Sequence, residues 1–229
     1  MLKKILLLFC ISSTVLAQKS VDIAFASREG FSPAISFQHL YGLGQSKKLK
    51  IGWGIRSTAY FSGSEKEFIT APAKLTSGKQ SIVAFFTEYK PEKLDTMRVA
   101  KTGVVSVNAM IALAYDFGKL GLGFNIDALG LTFGKKQNGV FQASESATFN
   151  NKTYSLKPTS PNLLLISDSD IGSLNSELFA KYQASEKIGL RLGLSFQFIE
   201  YKADQKLTFD NDRFRYKTLM PLLALNYRL

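Results

Sequence analysis

The chain has 229 residues, one cysteine, one histidine and a formal net charge of +11, and 45% of it is hydrophobic. A single cysteine excludes a disulfide framework and a thiolate-based metal centre. No apolar run approaches the ~20 residues of a spanning helix, so that class of membrane protein is excluded as well.

Residues 1–17 read as a secretory signal peptide. Lys3 and Lys4 form its basic segment, residues 5–11 its apolar segment, and Val15-Leu16-Ala17 a small-residue cleavage site before Gln18. Phe9 stands before Cys10 where a lipoprotein signal needs a small residue, so a lipid anchor is not expected. Residues 18–229 then form one domain that contains no cysteine.

Side-chain alternation predicts eight strands beyond the leader. Residues 21–27 set Val21, Ile23 and Phe25 against Asp22, Ala24 and Ala26. Residues 34–41 place Ile35, Phe37, His39 and Tyr41 on one face, and in residues 48–61 Leu49, Ile51, Trp53 and Ile55 alternate with Lys50, Gly52, Gly54 and Arg56. Residues 105–115 and 120–133 flank a tight turn at residues 116–119. The apolar phase of the latter slips from Ile126 to Leu129, which predicts a β-bulge near Asp127 and Ala128. Residues 174–182 precede the clearest strand, 187–199, where six large hydrophobes from Ile188 to Phe198 oppose Gly189, Arg191, Gly193, Ser195 and Gln197. That run extends over about 40 Å, roughly twice the length of an ordinary strand. The last strand, 213–229, contains Pro221 on its apolar face, and a local bulge is expected there.

An unbroken apolar face opposite a small, charged one suits lipid outside and a polar lumen inside. A soluble barrel has the reverse polarity. Connections after strands two, four and six are short, and those after three and five (residues 62–101 and 134–173) are long. The expected fold is therefore an all-β, eight-stranded antiparallel up-and-down transmembrane barrel, with turns on one rim and long extracellular loops on the other. Ten strands, with a hairpin from residues 67–89 joining the wall, are the alternative.

The layout resembles the small eight-stranded outer-membrane barrels of the OmpA/OmpX type. The terminal Leu225-Asn226-Tyr227-Arg228-Leu229 is similar to the C-terminal signal read by barrel-assembly machinery, with its aromatic two residues early. Residues 69–78 (ITAPAKLTSG) and 170–177 (DIGSLNSE) resemble a group of Bacteroidota outer-membrane β-barrel proteins. The resemblance implies the outer membrane of a Gram-negative bacterium and implies no mechanism. The basic charge fits lipopolysaccharide and lipid headgroups as partners, and nucleic acid is not expected. A monomer without a cofactor is expected.

Lys50, Arg56, Asn125, Asp127, Glu177, Lys181, Arg191 and Gln197, together with Asp116 and Asn175, point into the lumen. Eight strands enclose a space that side chains just fill, so these groups are expected to pair and plug it. His39 is a test case for a lipid-hydrolase triad, but beside Tyr41 near the turn rim it reads as part of an aromatic girdle. Residues 81–89 and 162–166 are apolar patches that pack as a cap, extend the strands beyond the bilayer or contact a partner, and the cap is the favoured reading. Asp168, Asp170, Asp204, Asp210 and Asp212 offer oxygen ligands to a divalent cation without the calcium-loop spacing. A structural or surface-interaction role leads, ahead of a barrel for a small or lipidic ligand and of an enzyme on lipid A or phospholipid.

Overall fold

In the computed structural model, residues 17–78, 90–146, 148–165 and 169–229 are described. The expected leader up to residue 16 and the apolar patch at 81–89 lie outside them. In chain order the strands are β1 (Ala17–Ser27), β2 (Phe31–Leu43), β3 (Leu49–Ser62), β4 (Lys66–Thr70), β5 (Thr96–Val99), β6 (Thr102–Phe117), β7 (Leu120–Phe133), β8 (Gln137–Gln142), β9 (Lys152–Pro158), β10 (Asn162–Leu163), β11 (Leu174–Gln183), β12 (Ile188–Ala203) and β13 (Arg213–Arg228).

Eight of these close a ring. Each long strand pairs antiparallel with its neighbours in the order β1, β2, β3, β6, β7, β11, β12 and β13, and β13 returns to β1 through Val21↔Tyr227 and Phe25↔Leu223. Period two then sorts the side chains. Ile23, Trp53, Ile111, Leu178, Leu192 and Leu223 stand outward and exposed, while Asp22, Gln38, Arg56, Asn108, Asp127, Glu177 and Arg191 are buried inside. This is the polarity of a membrane-spanning barrel, since closure satisfies every ladder group and hydrocarbon takes the place of water outside.

The phase slip in β7 is present. Ala109 pairs with Leu129 and Met110 with Asp127, so Ala128 has no partner in the ladder, and Asp127 faces inward while Leu129 faces outward. Without that extra residue one of the two would sit on the wrong face. Pro221 behaves differently from expectation. The β12–β13 register runs through Leu194↔Pro221 unbroken, while β1 releases β13 at Ala26↔Leu222, one residue short of the proline. A missing N–H is tolerated where a neighbouring ladder has just ended, so no bulge is needed.

Above the apolar belt the long connections form a second, smaller ring. β12 pairs with β9, β9 with β8, β8 with β5, β5 with β4, and β4 with β13, which is already beside β12. The hairpin of the ten-strand alternative, residues 67–89, lies partly outside the described residues; among those described, β4 meets β13 and pairs on its other side with β5, and both belong to this upper ring. Phe68, Met97, Val99, Phe141, Leu156, Tyr201 and Phe214 fill it, each almost fully buried, whereas Glu67 and Arg98 point out. Apolar inside and charged outside is the pattern of a barrel in water. The four-residue helix α1 (Ala73–Thr76) follows β4, with Ala73 and Thr76 buried.

For the residue 162–166 patch the favoured cap is corrected in favour of strand extension: Asn162 and Leu163 pair with Gly130 and Leu129 of β7, which has an unpaired edge above Ile126 where β11 stops. Leu163 and Leu165 stay exposed, and Ile166 lies outside the described residues.

Candidate functional site

The lumen groups are inward residues contributed by every long strand and brought together by the stagger of the barrel. Arg56 of β3 donates through Nε and Nη2 to Asp127 Oδ1 at 3.0 and 2.6 Å and through Nη2 to the Asn175 carbonyl at 2.6 Å. Its Nη1 faces Glu177 Oε1 at 2.8 Å as an ion pair. Arg191 of β12 donates to the other Glu177 oxygen at 2.6 Å and lies 3.3 Å from Asp22. Neutral amides take up the remaining lone pairs. Asn108 donates to Asp127, Asn125 to Glu177, and Gln38 and Asn226 to Asp22.

Two smaller groups flank this centre. Toward the turn end, Lys50 reaches Asp116 at 2.7 Å and Gln18 at 2.6 Å, and Lys181 lies 3.7 Å from Asp116. Toward the loop end, Gln197 donates to Ser32 and Ser195, and Ser195 donates to Asn175. Six of the eight candidate lumen residues (Arg56, Asn125, Asp127, Glu177, Arg191 and Gln197) belong to the central and loop-end network, and Lys50 and Lys181 meet at Asp116 in the separate turn-end group. Four acids (Asp22, Asp116, Asp127, Glu177) face four bases (Lys50, Arg56, Lys181, Arg191). The balance matters because an unpaired charge here would be costly, and pairing with full hydrogen bonding is what makes burial tolerable.

Packing fixes the geometry. The Phe179 ring stacks under the Arg191 guanidinium at 3.6 Å. Gly123 of the neighbouring strand leaves the space for that ring; a Cβ there would overlap it. The free space left at the turn-end mouth, measured to water centres, is about 20 Å³, and that above the centre about 10 Å³. Each has room for about one water.

Residues that sequence reasoning left off its site are Asp22, Gln38, Asn108, Asn162 and Asn226. Each lies on the inward phase of its strand, and a polar side chain at such a position is the signal that could have found it. Asn162 is the least legible, being buried on a two-residue strand where it donates to Asn108 and accepts from Thr132 and the Ser173 amide.

The remaining candidates are not assembled into sites. His39 lies among aromatic side chains, its Nδ1 3.3 Å from the Tyr41 hydroxyl and its ring 5.8 Å from Trp53. The loop acids are held apart. Asp212 meets Lys202 and Lys206, and the Asp170 carboxylate accepts the Leu165 amide while its carbonyl accepts Arg213 and Arg215, which also bind Glu200. Asp168 lies outside the described residues, and among those described no cluster of three or more potential ligands occurs. Off the bilayer, burial raises the Asp95 carboxyl, whose only hydrogen bonds among the described residues come from the Ser144 amide and hydroxyl to one oxygen. Glu29 is held low by the Tyr216 hydroxyl that donates to it and then by Lys66.

No family model matches the chain, and no curated protein matches it in sequence. Among solved structures it is similar to Neisserial surface protein A at 12% identity, covering 93% of this chain and 96% of that one with a TM-score of 0.39. A major outer membrane protein from Thermus thermophilus is similar at 12% identity, 93% and 100% coverage and a TM-score of 0.40. The Yersinia pestis outer membrane protein Ail follows at 12% identity, 93% and 99% coverage and 0.33. The fold stands on the strand pairing described above.

Proposed function

We propose that this protein is a closed outer-membrane barrel with a structural or surface-interaction role, exported through the leader at residues 1–17. The observation that carries the reading is the charge-balanced lumen of paired acids and bases under an apolar upper ring. A pore needs a continuous water path, and a ligand barrel needs a cavity of a few hundred Å³. The two spaces described above along the lumen, of about 20 and 10 Å³, have room for about one water each. Recognition then falls to the loop end, where β4, β5, β8 and β9 give the connections a rigid frame.

Lipopolysaccharide, phospholipid and the barrel-assembly machinery are the partners that a basic exported barrel would meet, and the build suits a monomer of the OmpA/OmpX type. Among the described residues His39 has no acid and no serine hydroxyl bonded to it, its side-chain contacts being Tyr41 and Trp53, so it carries no triad. Purified protein in a planar lipid bilayer should give no stepwise conductance. Steady, reproducible steps from the purified barrel would overturn the closed-lumen reading.

A further inference from the structure

The turn-end rim has a regularity that the lumen does not explain. Four strands run from the turn end to the loop end: β1, β3, β7 and β12. Lys48, Lys119 and Lys187 directly precede β3, β7 and β12, Lys19 is the third residue of β1, and each lysine carbonyl closes the last bond of a ladder. Lys19 accepts from the Leu229 amide at 3.1 Å, Lys48 from Asp116 at 3.0 Å, Lys119 from Gln183 at 2.7 Å and Lys187 from Arg228 at 2.8 Å. In the ring these strands occupy alternate positions, so the four lysines stand at quarter turns around the barrel.

Three of them stand at one height, since Leu49, Leu120 and Ile188 follow Lys48, Lys119 and Lys187 directly as the first outward apolar residues, and Lys19 stands two residues before Val21 on the outward phase of β1. The strands between contribute outward aromatics at the same level, Tyr41, Tyr115, Phe117, Tyr182 and Tyr227, and Lys187 Nζ lies 5.8 Å from the Tyr227 ring. All four lysines are exposed, and none forms an ion pair among the described residues. Nearby acids do not answer them: Asp116 is engaged by Lys50 and Lys181, which leaves exposed Glu186.

From this placement we infer that the four lysines form a collar that holds the phosphate groups of the phospholipid leaflet at the turn end. A lysine stem lies against apolar surface while its ammonium reaches the headgroup level, and aromatic residues mark that same level. The spacing selects the occupant. A protein partner or a soluble polyanion would touch one side, whereas a leaflet surrounds the barrel and meets all four quarters alike. The collar rests on the membrane-spanning reading.

The test compares wild type with K19Q/K48Q/K119Q/K187Q and with a loop-end control, K101Q/K135Q/K136Q/K157Q. Insertion into vesicles of phosphatidylcholine, with or without phosphatidylglycerol, is followed against urea by the fluorescence of Trp53, the single tryptophan. One lysine near an anionic surface is worth roughly fivefold in partitioning. The anionic lipid should favour wild-type insertion by about tenfold or more, with the gain lost in high salt. The collar variant should lose most of that gain and the control should keep it. An equal gain in the collar variant, or an equal loss in the control, would overturn the collar while leaving the barrel in the membrane. Failure of all three proteins to insert into either vesicle would overturn the membrane reading itself, and the collar with it.

Discussion

Replacing Arg56 by Met is the sharpest probe of the lumen. The guanidinium is 1% exposed and spans Asp127 and Glu177 at 2.6 and 2.8 Å, so its loss leaves four acids facing three bases. Glu177 keeps Arg191 and Asn125, while Asp127 keeps Asn108 and the Asn175 amide. Asp127 is the group left without a cation. Breaking a buried pair from one side costs about 3–5 kcal/mol, most of it the penalty on the stranded charge. Adding Asp127→Asn removes that charge and restores three against three, so the double variant should regain more than half of the loss. Urea unfolding in detergent micelles, read by Trp53, measures both. A loss below ~1 kcal/mol for Arg56→Met, or a double variant no more stable than the single, would refute the view that pairing alone makes this burial tolerable.

Further outcomes follow from other sites. Gly123→Val should push Phe179 off Arg191 and cost roughly 1–3 kcal/mol by overpacking, and the same assay would show it. Asp95 has a raised carboxyl value in the folded state, so the fold favours its protonated form. That contribution is present below the ordinary carboxylate range and is lost as pH rises through the raised value. Asp95→Asn keeps an acceptor for Ser144 and should flatten this part of the pH–stability profile; a profile unchanged from wild type would contradict it. On intact cells, a cysteine at Gly63 in the exposed β3–β4 turn should react with a membrane-impermeant reagent. One at Gly118 in the β6–β7 turn should react only after the outer membrane is opened, and the opposite pattern would invert the barrel.

The long strands were legible because each carries its own evidence. In β12 an outward row from Ile188 to Phe198 leaves no other secondary structure that separates it from Arg191, Ser195 and Gln197. The bulge in β7 was legible for the same reason, since a phase slip between Ile126 and Leu129 needs one extra residue. The upper ring was not legible. Phe68, Met97, Phe141 and Leu156 are each among the few apolar inward residues of a short strand, too few to establish a period, and their common face exists only after four strands close between β12 and β13. The lumen residues could be named from phase, but who pairs with whom depends on stagger. Arg56 meets Asp127 and Glu177 across 71 and 121 positions of sequence.

One strand contains the reason for two rings. Along β12 the inward phase never changes, yet its chemistry does: Arg191, Ser195 and Gln197 are followed by Ile199, Tyr201 and Ala203. The outward phase changes at the same height, from Phe198 to Glu200, which is buried against Arg213 and Arg215, and then to exposed Lys202. A strand in hydrocarbon must turn its apolar side out, and the same strand in water must turn it in. The switch between Gln197 and Ile199 therefore marks where β12 leaves the bilayer. Above that point an inward apolar face needs cover, and β4, β5, β8 and β9 supply it. A polar substitution such as Tyr201→Asp should then loosen the upper ring while the lumen network below stays closed, because ion pairing and apolar packing hold the two levels separately.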